Sequence, residues 1–479
     1  MRFAAICCAL SVSSITMAQT PPPLNAIIAY NPDADSIRMA LDAERASGKI
    51  RSAIHGKEIL IKDNIETADR MATTAGSLAL KDNVTGRDAP LVARLRKAGV
   101  LILGKTNLSE WANIRSNRSM SGWSAVGGLV RNPYALDRTA CGSSSGSGAA
   151  VAAGLAWAAI GTETDGSIVC PASINGIVGL KPTVGLISRT HVIPISHSQD
   201  TPGPMTRTVR DAAMMLSVIA GSDRADEATT LADSHKRDYA AALTGSIKGV
   251  RMGVLRDQIG DQPGTRAVFE AALRALKVAG AVLVDIQKTD APPGLGRAEF
   301  AVLLTELKAD LNAYLATTPK TVKTRTLADV IAFNTANAAT EMPYFGQETF
   351  IAAEATKGLA DPAYLKALAE SGNGARATLM RLLMDNKVAM LVAPTTGPAW
   401  LSDPVNGDQY DGPSASQLPA IAGFPHLTVP MGVVRGLPVG LSFIGPAWSE
   451  ATLLNAGDAY EKMRGAFPRP TYQASVPVR

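Results

Sequence analysis

Serine hydroxyls that could act as nucleophiles are concentrated in one glycine-rich stretch, Thr139 to Pro171. It contains three consecutive serines, Ser143 to Ser145, and a further serine, Ser167, near its end. Small residues fill the segment Ala149 to Ala159 and predict a tightly packed helix between two polar turns. A flexible Gly/Ser linker would not be followed directly by such an apolar segment. The stretch therefore predicts two loops that meet at one catalytic site.

A serine nucleophile needs a base that takes its proton, and the sequence offers two kinds of base. Lys62 stands at the end of an apolar strand, Ile59 to Ile61, where burial would lower its pKa and favour the neutral form. Histidine is the alternative, because Gly142 to Gly146 fits the GxSxG pattern and His191 and His197 are candidate bases. The residues before that pattern are turn-like and do not form the required strand. A Ser-His-Asp hydrolase therefore stays an alternative to the lysine mechanism.

Other features of the sequence argue against an NTPase, a metalloprotein and a nucleic-acid-binding protein. Gly99 to Thr106 matches the phosphate-binding pattern GxxxxGK[ST], but its middle residues Val-Leu-Ile-Leu predict a strand and not an open loop. The chain has neither His-Glu-x-x-His nor Cys-x-x-Cys, so we expect no metal site. The net charge of +5 without a Lys/Arg cluster argues against a nucleic-acid partner. No cofactor is implied.

The N-terminus has the composition of a secretory signal. A positive start, Met1-Arg2, precedes mostly apolar or small residues from Phe3 to Met17, and Ala18 provides a small residue for cleavage. The prolines at 21–23 argue against a buried helix continuing through this segment. We therefore predict a signal peptide over residues 1–18, cut near Ala18, and a secreted or periplasmic protein. No later segment has about 18 uninterrupted apolar residues, so we expect no membrane span.

The remaining chain, residues 19–479, is predicted to form one large domain. Of the 479 residues, 46% are hydrophobic and 19% are charged, which is typical of a globular chain with a large core. Cys7 and Cys8 would leave with the signal, whereas Cys141 and Cys170 stay in the glycine-rich stretch. An oxidising compartment permits a disulfide between them. Because a large core needs no covalent link, we expect two buried thiols.

Hydrophobic periodicity places strands and helices alternately along the chain. Strands are predicted at 58–61, 100–103, 250–255, 281–286, 389–393, 426–429 and 439–444, and helices at 31–47, 89–98, 207–220, 266–279, 297–315, 327–338 and 375–384. This alternation predicts an α/β fold with a mixed central sheet covered by helices on both faces.

Several segments resemble the amidase signature family, whose fold this chain would then share. Those that carry the resemblance are Lys62-Asp63-Asn64, Gly142 to Ser147 and Gly161 to Ile168. Those that most closely resemble its bacterial peptide amidase branch are Gly104 to Asn113, Ser121-Gly122-Trp123 and Ser196 to Asp200. The resemblance extends from about Leu24 to about Leu453, which is nearly all of the predicted mature chain.

The resemblance implies a Ser–cis-Ser–Lys triad. Lys62 would be the base, Ser143 the bridging serine with a cis peptide bond, and Ser167 the nucleophile. Ser144 and Ser145 would be neighbours without a catalytic part. The resemblance also implies an oxyanion hole made by the backbone amides of Thr164, Asp165, Gly166 and Ser167.

Two departures from the family pattern stand out. Asp165 occupies a position where the family commonly has Gly, although the peptide amidase branch is similar to this chain there. The segment His55 to Glu58 replaces the usual Gly-Ile-Pro before the lysine strand.

The expected reaction is hydrolysis of a carboxamide through an acyl-enzyme on Ser167. A C-terminal peptide amide, giving the free acid and ammonia, is the preferred substrate, and small aryl or aliphatic amides are the alternative. A subunit of a glutamine-dependent amidotransferase is disfavoured, because a signal peptide would separate it from cytosolic partners. A non-catalytic binding protein on the same fold is disfavoured by the intact triad. Trp111, Trp123 and the loop from Asp403 to Gln417 are candidates for shaping the pocket, although either tryptophan could equally belong to the core.

Overall fold

The structure is a computed structural model that describes residues 23–410 and 412–477. The predicted signal peptide, residues 1–18, lies outside this part of the chain. The strands are β1 Ile27–Tyr30, β2 Glu58–Lys62, β3 Leu101–Thr106, β4 Trp123–Ser124, β5 Gly128–Leu129, β6 Ala158–Glu163, β7 Val178–Lys181, β8 Thr201–Thr206, β9 Arg251–Leu255, β10 Val282–Ile286, β11 Met390–Pro394, β12 His426–Val434 and β13 Leu437–Ile444.

All but β4 and β5 form one 11-stranded sheet in the order β1-β3-β2-β6-β8-β7-β12-β13-β11-β9-β10. Strand β2 pairs in parallel with both β3 and β6, and β9 pairs in parallel with β10 and β11. The strands between these two groups pair antiparallel. The predicted mixed central sheet is therefore confirmed.

Helices cover the sheet. They are α1 Ala34–Ala46, α2 Pro90–Lys97, α3 Ser145–Ala152, α4 Val169–Ile174, α5 Val209–Ile219, α6 Ala232–His235, α7 Pro263–Val278, α8 Leu295–Ala316, α9 Leu327–Ala336, α10 Ala338–Glu341, α11 Glu348–Glu354, α12 Pro362–Asp385, α13 Gln417–Ala422 and α14 Glu450–Arg464. Successive strand side chains point to opposite faces, so Ile59 and Ile61 pack with α2 and α5 while Leu60 packs with α3 and α4. The predicted helical layers on both faces are present.

The helix predicted across Ala149 to Ala159 is correct only in its first half. Helix α3 ends at Ala152, and Gly154 follows with φ +76°, a left-handed conformation that ends helices. The chain then enters β6, which lies between β2 and β8 and pairs with both. Pairing on both edges overrides the helix propensity of alanine, and small side chains suit a strand packed under helices on each face.

The register of the parallel strands brings the last residues of two strands, both polar, to the same end of the sheet. Lys62 is the last residue of β2 and Glu163 the last residue of β6, with Ile61 opposite Ile160 in the ladder. The turn that follows β6 and contains Ser167 therefore lies beside the end of the lysine strand. Such carboxyl edges of α/β sheets are common ligand sites.

Among the helices that the structure describes, none is both long enough and apolar enough to cross a membrane.

Candidate active site

Lys62 is a fully buried lysine with three hydrogen-bond acceptors around its amine. Its Nζ donates to Ser143 Oγ at 2.7 Å, to Thr162 Oγ1 at 2.8 Å and to the Thr162 carbonyl at 3.2 Å. Burial lowers the pKa of Lys62 from 10.5 to about 7, and the charges of Asp200 and Glu163 oppose part of that shift. A substantial fraction of this amine is neutral at pH 7 and can accept a proton.

Ser143 joins the lysine to the second serine segment. The hydroxyl of this fully buried residue accepts the lysine hydrogen bond, and the Gly142–Ser143 peptide bond is cis. The amide of the next residue, Ser144, donates to the carbonyl of Ser167 at 3.1 Å. The segment that carries Ser143 therefore lies directly against the turn that carries Ser167.

The start of α3 can approach its neighbours only because residue 146 is glycine. A Cβ at Gly146 would lie 2.3 Å from the Ala26 carbonyl oxygen and 2.5 Å from the Asn107 carbonyl oxygen. The Gly146 amide also donates to Asn107 at 3.0 Å. This close packing fixes the helix whose first turn follows Ser143.

Ser167 lies in the turn between β6 and α4, where 8% of its surface is exposed. The four residues predicted to bind an oxyanion, from Thr164 onward, form this same turn. The carboxylate of Glu163 accepts hydrogen bonds from the amides of Ile168 at 2.7 Å and Val169 at 3.0 Å. The Glu163 side chain therefore stabilises the turn through hydrogen bonds, in addition to packing.

A second set of hydrogen bonds joins the turn to the segment Ser196 to Asp200. Thr164 Oγ1 donates to Asp200 at 2.6 Å, and the other oxygen of Asp200 accepts from the amide of Ser196 at 2.9 Å. Gln199 donates to the Thr164 carbonyl at 3.2 Å. Burial raises the pKa of Asp200 to about 6, so its carboxylate is largely ionised at neutral pH.

Asp165 lies in this turn, at the position where the resembling family commonly has Gly. Its side chain lines the adjacent cavity, and burial together with the charge of Glu299 raises the pKa of its carboxyl well above the usual range. Burial raises the pKa of Glu299 as well. Two buried acidic groups that repel each other in this way are not both readily ionised.

A cavity of about 290 Å³ opens beside the two serine segments. It reaches Gly142 and Gly166, the residues next to Ser143 and Ser167. The loop from Asp403 to Gln417 also lines the cavity, as predicted, through Asp408, Tyr410, Ser414 and Ser416. Trp400, just before this loop, lines it as well.

Asp408 anchors this loop. Its carboxylate accepts from Trp400 Nε1 at 2.9 Å and from the amide of Ser121 at 3.1 Å.

The two tryptophans considered for the pocket belong to the hydrophobic core. Trp111 is 3% exposed and packs edge-on against Phe350, with ring centroids 5.8 Å apart. Trp123 is 6% exposed and packs against Tyr344 and Phe345. Trp400, which sequence reasoning did not single out, provides an aromatic wall of the cavity.

The expectation of two free thiols is wrong. Cys141 and Cys170 form a disulfide, with their Cα atoms 6.1 Å apart. The sequence could not reveal this pairing, because the contact depends on how the two serine segments pack against each other in the fold.

The histidine alternative finds no support in the hydrogen bonds. Within residues 23–410 and 412–477, no histidine bonds to Ser167 or to the serines at 143–145. His197 instead lies between two carboxylates of α8, with Nδ1 2.9 Å from Asp310 and Nε2 3.3 Å from Glu306. Its hydrogen bond to Asp310 raises the pKa of His197. His191 lies near Glu66, with Nδ1 3.8 Å from its carboxylate.

His197, Glu306 and Asp310 also form the one group of the described chain whose donor atoms could hold a metal ion, lying within 4.8 Å of one another. Glu306 already accepts from Ser198 Oγ at 2.6 Å and from the Tyr364 hydroxyl at 2.8 Å. These contacts, with the two ring nitrogens of His197 on different carboxylates, fit an imidazolium ion-pair cluster.

Sequence reasoning missed two residues of the site, Thr162 and Asp200. Both lie inside segments that resemble the family, yet neither was assigned a part. Thr162 supplies two acceptors to Lys62, and Asp200 bonds to the turn of Ser167. The only signal in the sequence is their position inside those segments.

Comparison with known proteins identifies relatives along nearly the whole chain. A family model described as Amidase matches residues 13–454. A probable amidase of Arabidopsis thaliana is 39% identical over 452 residues, which cover 92% of this chain and 83% of the relative. A glutamyl-tRNA(Gln) amidotransferase subunit of Roseiflexus castenholzii is 36% identical over 451 residues, covering 88% of this chain and 85% of the relative.

A solved structure is more similar than these sequence relatives. The native peptide amidase of Stenotrophomonas maltophilia is 49% identical, with a TM-score of 0.90, and the match covers 95% of this chain and 92% of that one.

Proposed function

We infer that this chain, which belongs to the amidase signature family and is a hydrolase of carbon–nitrogen bonds, removes ammonia from the C-terminal amide of peptides. The observation that carries the proposal is the buried hydrogen bond from Lys62 Nζ to Ser143 Oγ, 2.7 Å long. Gly142 and Gly166, the residues directly before Ser143 and Ser167, line the neighbouring cavity. This arrangement supports a lysine base that reaches a serine nucleophile through a second serine.

In the acylation step, Ser167 attacks the carboxamide carbon. Its proton passes to Ser143, whose own proton passes to Lys62. In the neutral lysine, Nζ keeps two hydrogens for the Thr162 acceptors and its lone pair accepts from the Ser143 hydroxyl, the reverse of the bond that the charged amine makes. The C–N bond then breaks, and the leaving group receives a proton back along the same path and departs as ammonia. The low pKa of Lys62 supports this role, because a lysine charged at neutral pH could not accept the proton.

The carbonyl oxygen becomes negative in the tetrahedral intermediate. The backbone amides of Thr164, Asp165, Gly166 and Ser167 provide the oxyanion hole. Loss of one such donor typically costs about a hundredfold or more in rate. Water, activated by the same Ser143–Lys62 pair, then hydrolyses the ester of Ser167 and releases the free acid.

Two observations favour a short peptide amide as the substrate. The similarity at 49% identity is to a peptide amidase and covers nearly the whole chain. The cavity of about 290 Å³ is large enough for the end of a peptide but small for a long chain, and Trp400 and Tyr410 offer apolar surface for a side chain. Asp165 and Ser416 provide polar groups in the same cavity.

The test is ammonia release from an N-blocked dipeptide amide, with the free acid followed by mass spectrometry. The wild type should release ammonia, and Ser167→Ala should lose at least about 10⁴-fold in kcat. Aryl and aliphatic amides are assayed in parallel. Faster turnover of those amides would overturn the peptide substrate, whereas an active Ser167→Ala variant would overturn the nucleophile.

We also propose that residues 19–479 are the mature amidase domain and that residues 1–18 direct it to a secreted or periplasmic location. The disulfide between Cys141 and Cys170 supports this, because such bonds persist mainly in oxidising compartments. N-terminal sequencing of the protein recovered outside the cytoplasm tests the proposal. A mature N-terminus near Gln19 is expected, and an intact Met1 on cytoplasmic protein would contradict it.

A further inference from the structure

The disulfide joins the two segments that carry the catalytic serines. Cys141 lies two residues before Ser143, and Cys170 lies three residues after Ser167. Its Cα atoms are 6.1 Å apart although 29 positions separate them in sequence. A covalent bond at this place limits the movement of one serine relative to the other.

Hydrogen bonds hold the chain on either side of Cys141. Asn175 Nδ2 donates to the Ala140 carbonyl at 2.9 Å, and the Ser144 amide donates to the Ser167 carbonyl at 3.1 Å. These bonds do not involve sulfur and would remain after reduction. The fold around the site therefore has support that is independent of the disulfide.

The segment between those two hydrogen bonds is held by three further hydrogen bonds and by the disulfide. The Cys141 amide donates to Thr139 Oγ1 at 2.9 Å, its carbonyl accepts from Ser145 Oγ, and the Ser143 carbonyl accepts from the Ser109 amide at 3.0 Å. Cys141 has φ +54°, in the left-handed region that a residue with a Cβ rarely adopts. The bond to Cys170 fixes the side chain of this residue, directly before Gly142 and Ser143. Without the bond, the segment can relax towards a more common conformation and carry the Ser143 hydroxyl with it.

Both cysteines also line the cavity, together with Gly142 and Gly166. Cys170 is half-buried, whereas Cys141 is 5% exposed. A small thiol can therefore approach the bond through the cavity. The disulfide is part of the wall beside the reacting groups and is not remote from them.

We propose that the Cys141–Cys170 disulfide is a positioning element of the catalytic site, so that the enzyme turns over at its full rate only when this bond is formed. The inference rests on the proposed function of Ser143 and Ser167. In the reduced enzyme, the S–S bond has gained two electrons and two protons from a dithiol, which becomes a cyclic disulfide. Ser143 is then less well aligned between Lys62 and Ser167.

The experiment compares the oxidised full-length enzyme, the enzyme reduced by dithiothreitol, and the Cys141→Ala/Cys170→Ala variant. Reduction should lower kcat for the dipeptide amide about tenfold and leave KM within about twofold, because misalignment acts on the chemical step. Removal of the reductant and reoxidation should restore kcat. The double variant should resemble the reduced enzyme and be insensitive to dithiothreitol, which excludes an effect through Cys7 or Cys8.

Three further measurements separate misalignment of Ser143 from unfolding and from incomplete reduction. Near-UV circular dichroism gives the native fraction, so a loss caused by unfolding is corrected, and alkylation with mass spectrometry verifies that Cys141 and Cys170 are free. The rate at which a fluorophosphonate modifies Ser167 is measured in the same samples and should fall to a similar extent. If the double variant does not fold, the reduced wild type carries the comparison.

Equal modification rates in oxidised and verified reduced enzyme would overturn the positioning role, as would a reduced enzyme that keeps more than half of its kcat. If the oxidised enzyme releases no ammonia but its Ser167 still reacts about tenfold faster than in the reduced form, the positioning role stands and the proposed substrate fails.

Discussion

Lys62 and Lys105 are two fully buried lysines on the neighbouring parallel strands β2 and β3. Burial lowers the pKa of both. The amine of Lys62 donates to the hydroxyls of Ser143 and Thr162 at the edge of the sheet. In the proposed mechanism, the Ser143 hydroxyl connects this amine to the nucleophile Ser167.

Lys105 has a different environment one strand away. It donates to the Ile65 carbonyl and, at 2.8 Å, to Thr73 Oγ1, while the charge of Asp63 favours its protonated form. The prediction that Gly99 to Thr106 forms a strand and not a phosphate loop is confirmed, because β3 occupies most of it. Burial lowers the pKa of a lysine, but the groups that accept its hydrogen bonds decide whether it can act as a base.

The largest expected difference between the two lysines is in turnover. Lys62→Ala should lower kcat/KM about 10³- to 10⁴-fold, because the general base is lost. Lys105→Met should keep kcat within about threefold once corrected for the native fraction, since it lies outside the proton path. Ammonia release and near-UV circular dichroism are the measurements. An equal loss of kcat/KM per folded molecule in both variants would contradict the assignment of Lys62, and not Lys105, as the base.

The pH dependence of kcat/KM should also distinguish Lys62 from Lys105. Because only neutral Lys62 accepts a proton, kcat/KM should rise with pH through an apparent pKa of about 7 and fall about tenfold per unit well below it. Asp200→Asn removes a charge that raises the pKa of Lys62, so the acid limb should move to lower pH. Lys105→Met should leave the limb in place. A limb that moves in His197→Gln but not in Asp200→Asn would contradict the lysine assignment.

The ionisation of Lys62 should make the free energy of unfolding depend on pH in a definite direction. Its pKa is about 7 when folded and 10.5 ordinarily, so the folded state binds fewer protons between these values. Stability from this group is therefore gained as pH rises through that window and lost as pH falls to 7. The stability of Lys62→Met relative to the wild type should therefore be about 3–5 kcal/mol higher near pH 6 than near pH 10. Thermal melts across this range test the sign, and a relative stability that is lower near pH 6 than near pH 10 would reverse it.

Lys105→Met should lower stability at neutral pH. It removes the charge that lowers the pKa of the buried Asp63 carboxyl, and it leaves the Ile65 carbonyl and the Thr73 hydroxyl without their donor, at a cost of about 1–3 kcal/mol. Asp63→Asn/Lys105→Met should recover much of that loss, because both charges are then absent. Denaturant unfolding of the three proteins measures the difference. A double variant no more stable than Lys105→Met would show that the pair does not account for the effect.

The smallest effects are expected at the serines next to Ser143. Ser144 Oγ donates to the Thr162 carbonyl at 3.1 Å, and Ser145 Oγ donates to the Cys141 carbonyl. Each Ser→Ala change should cost about 1 kcal/mol of stability. Each should lower kcat/KM less than about fivefold, far below the loss expected at Lys62. A loss in Ser145→Ala as large as in Ser143→Ala would reassign the bridging serine.

The class of fold and much of the element order can be predicted from the sequence. The apolar run before Lys62 predicts β2, and the repeated helix–Gly–strand pattern at 266–286 predicts α7 and β10, because a buried strand and an amphipathic helix have distinct spacings. The family membership could also be recognised from the segments around Lys62, Ser143 and Ser167. Helix α12 was found only in its second half, since Gly372 and Gly374 in its interior weaken the helical signal.

Which side chains contact each other in the site depends on tertiary packing. The strand character of Ala158–Glu163 follows from pairing with β2 and β8 and not from its alanines. The hydrogen bonds of Thr162 to Lys62 and of Asp200 to Thr164, and the disulfide between Cys141 and Cys170, join positions far apart in the chain. Burial is likewise a property of the packed molecule, so the pKa that makes one lysine a candidate base depends on the layers packed around it.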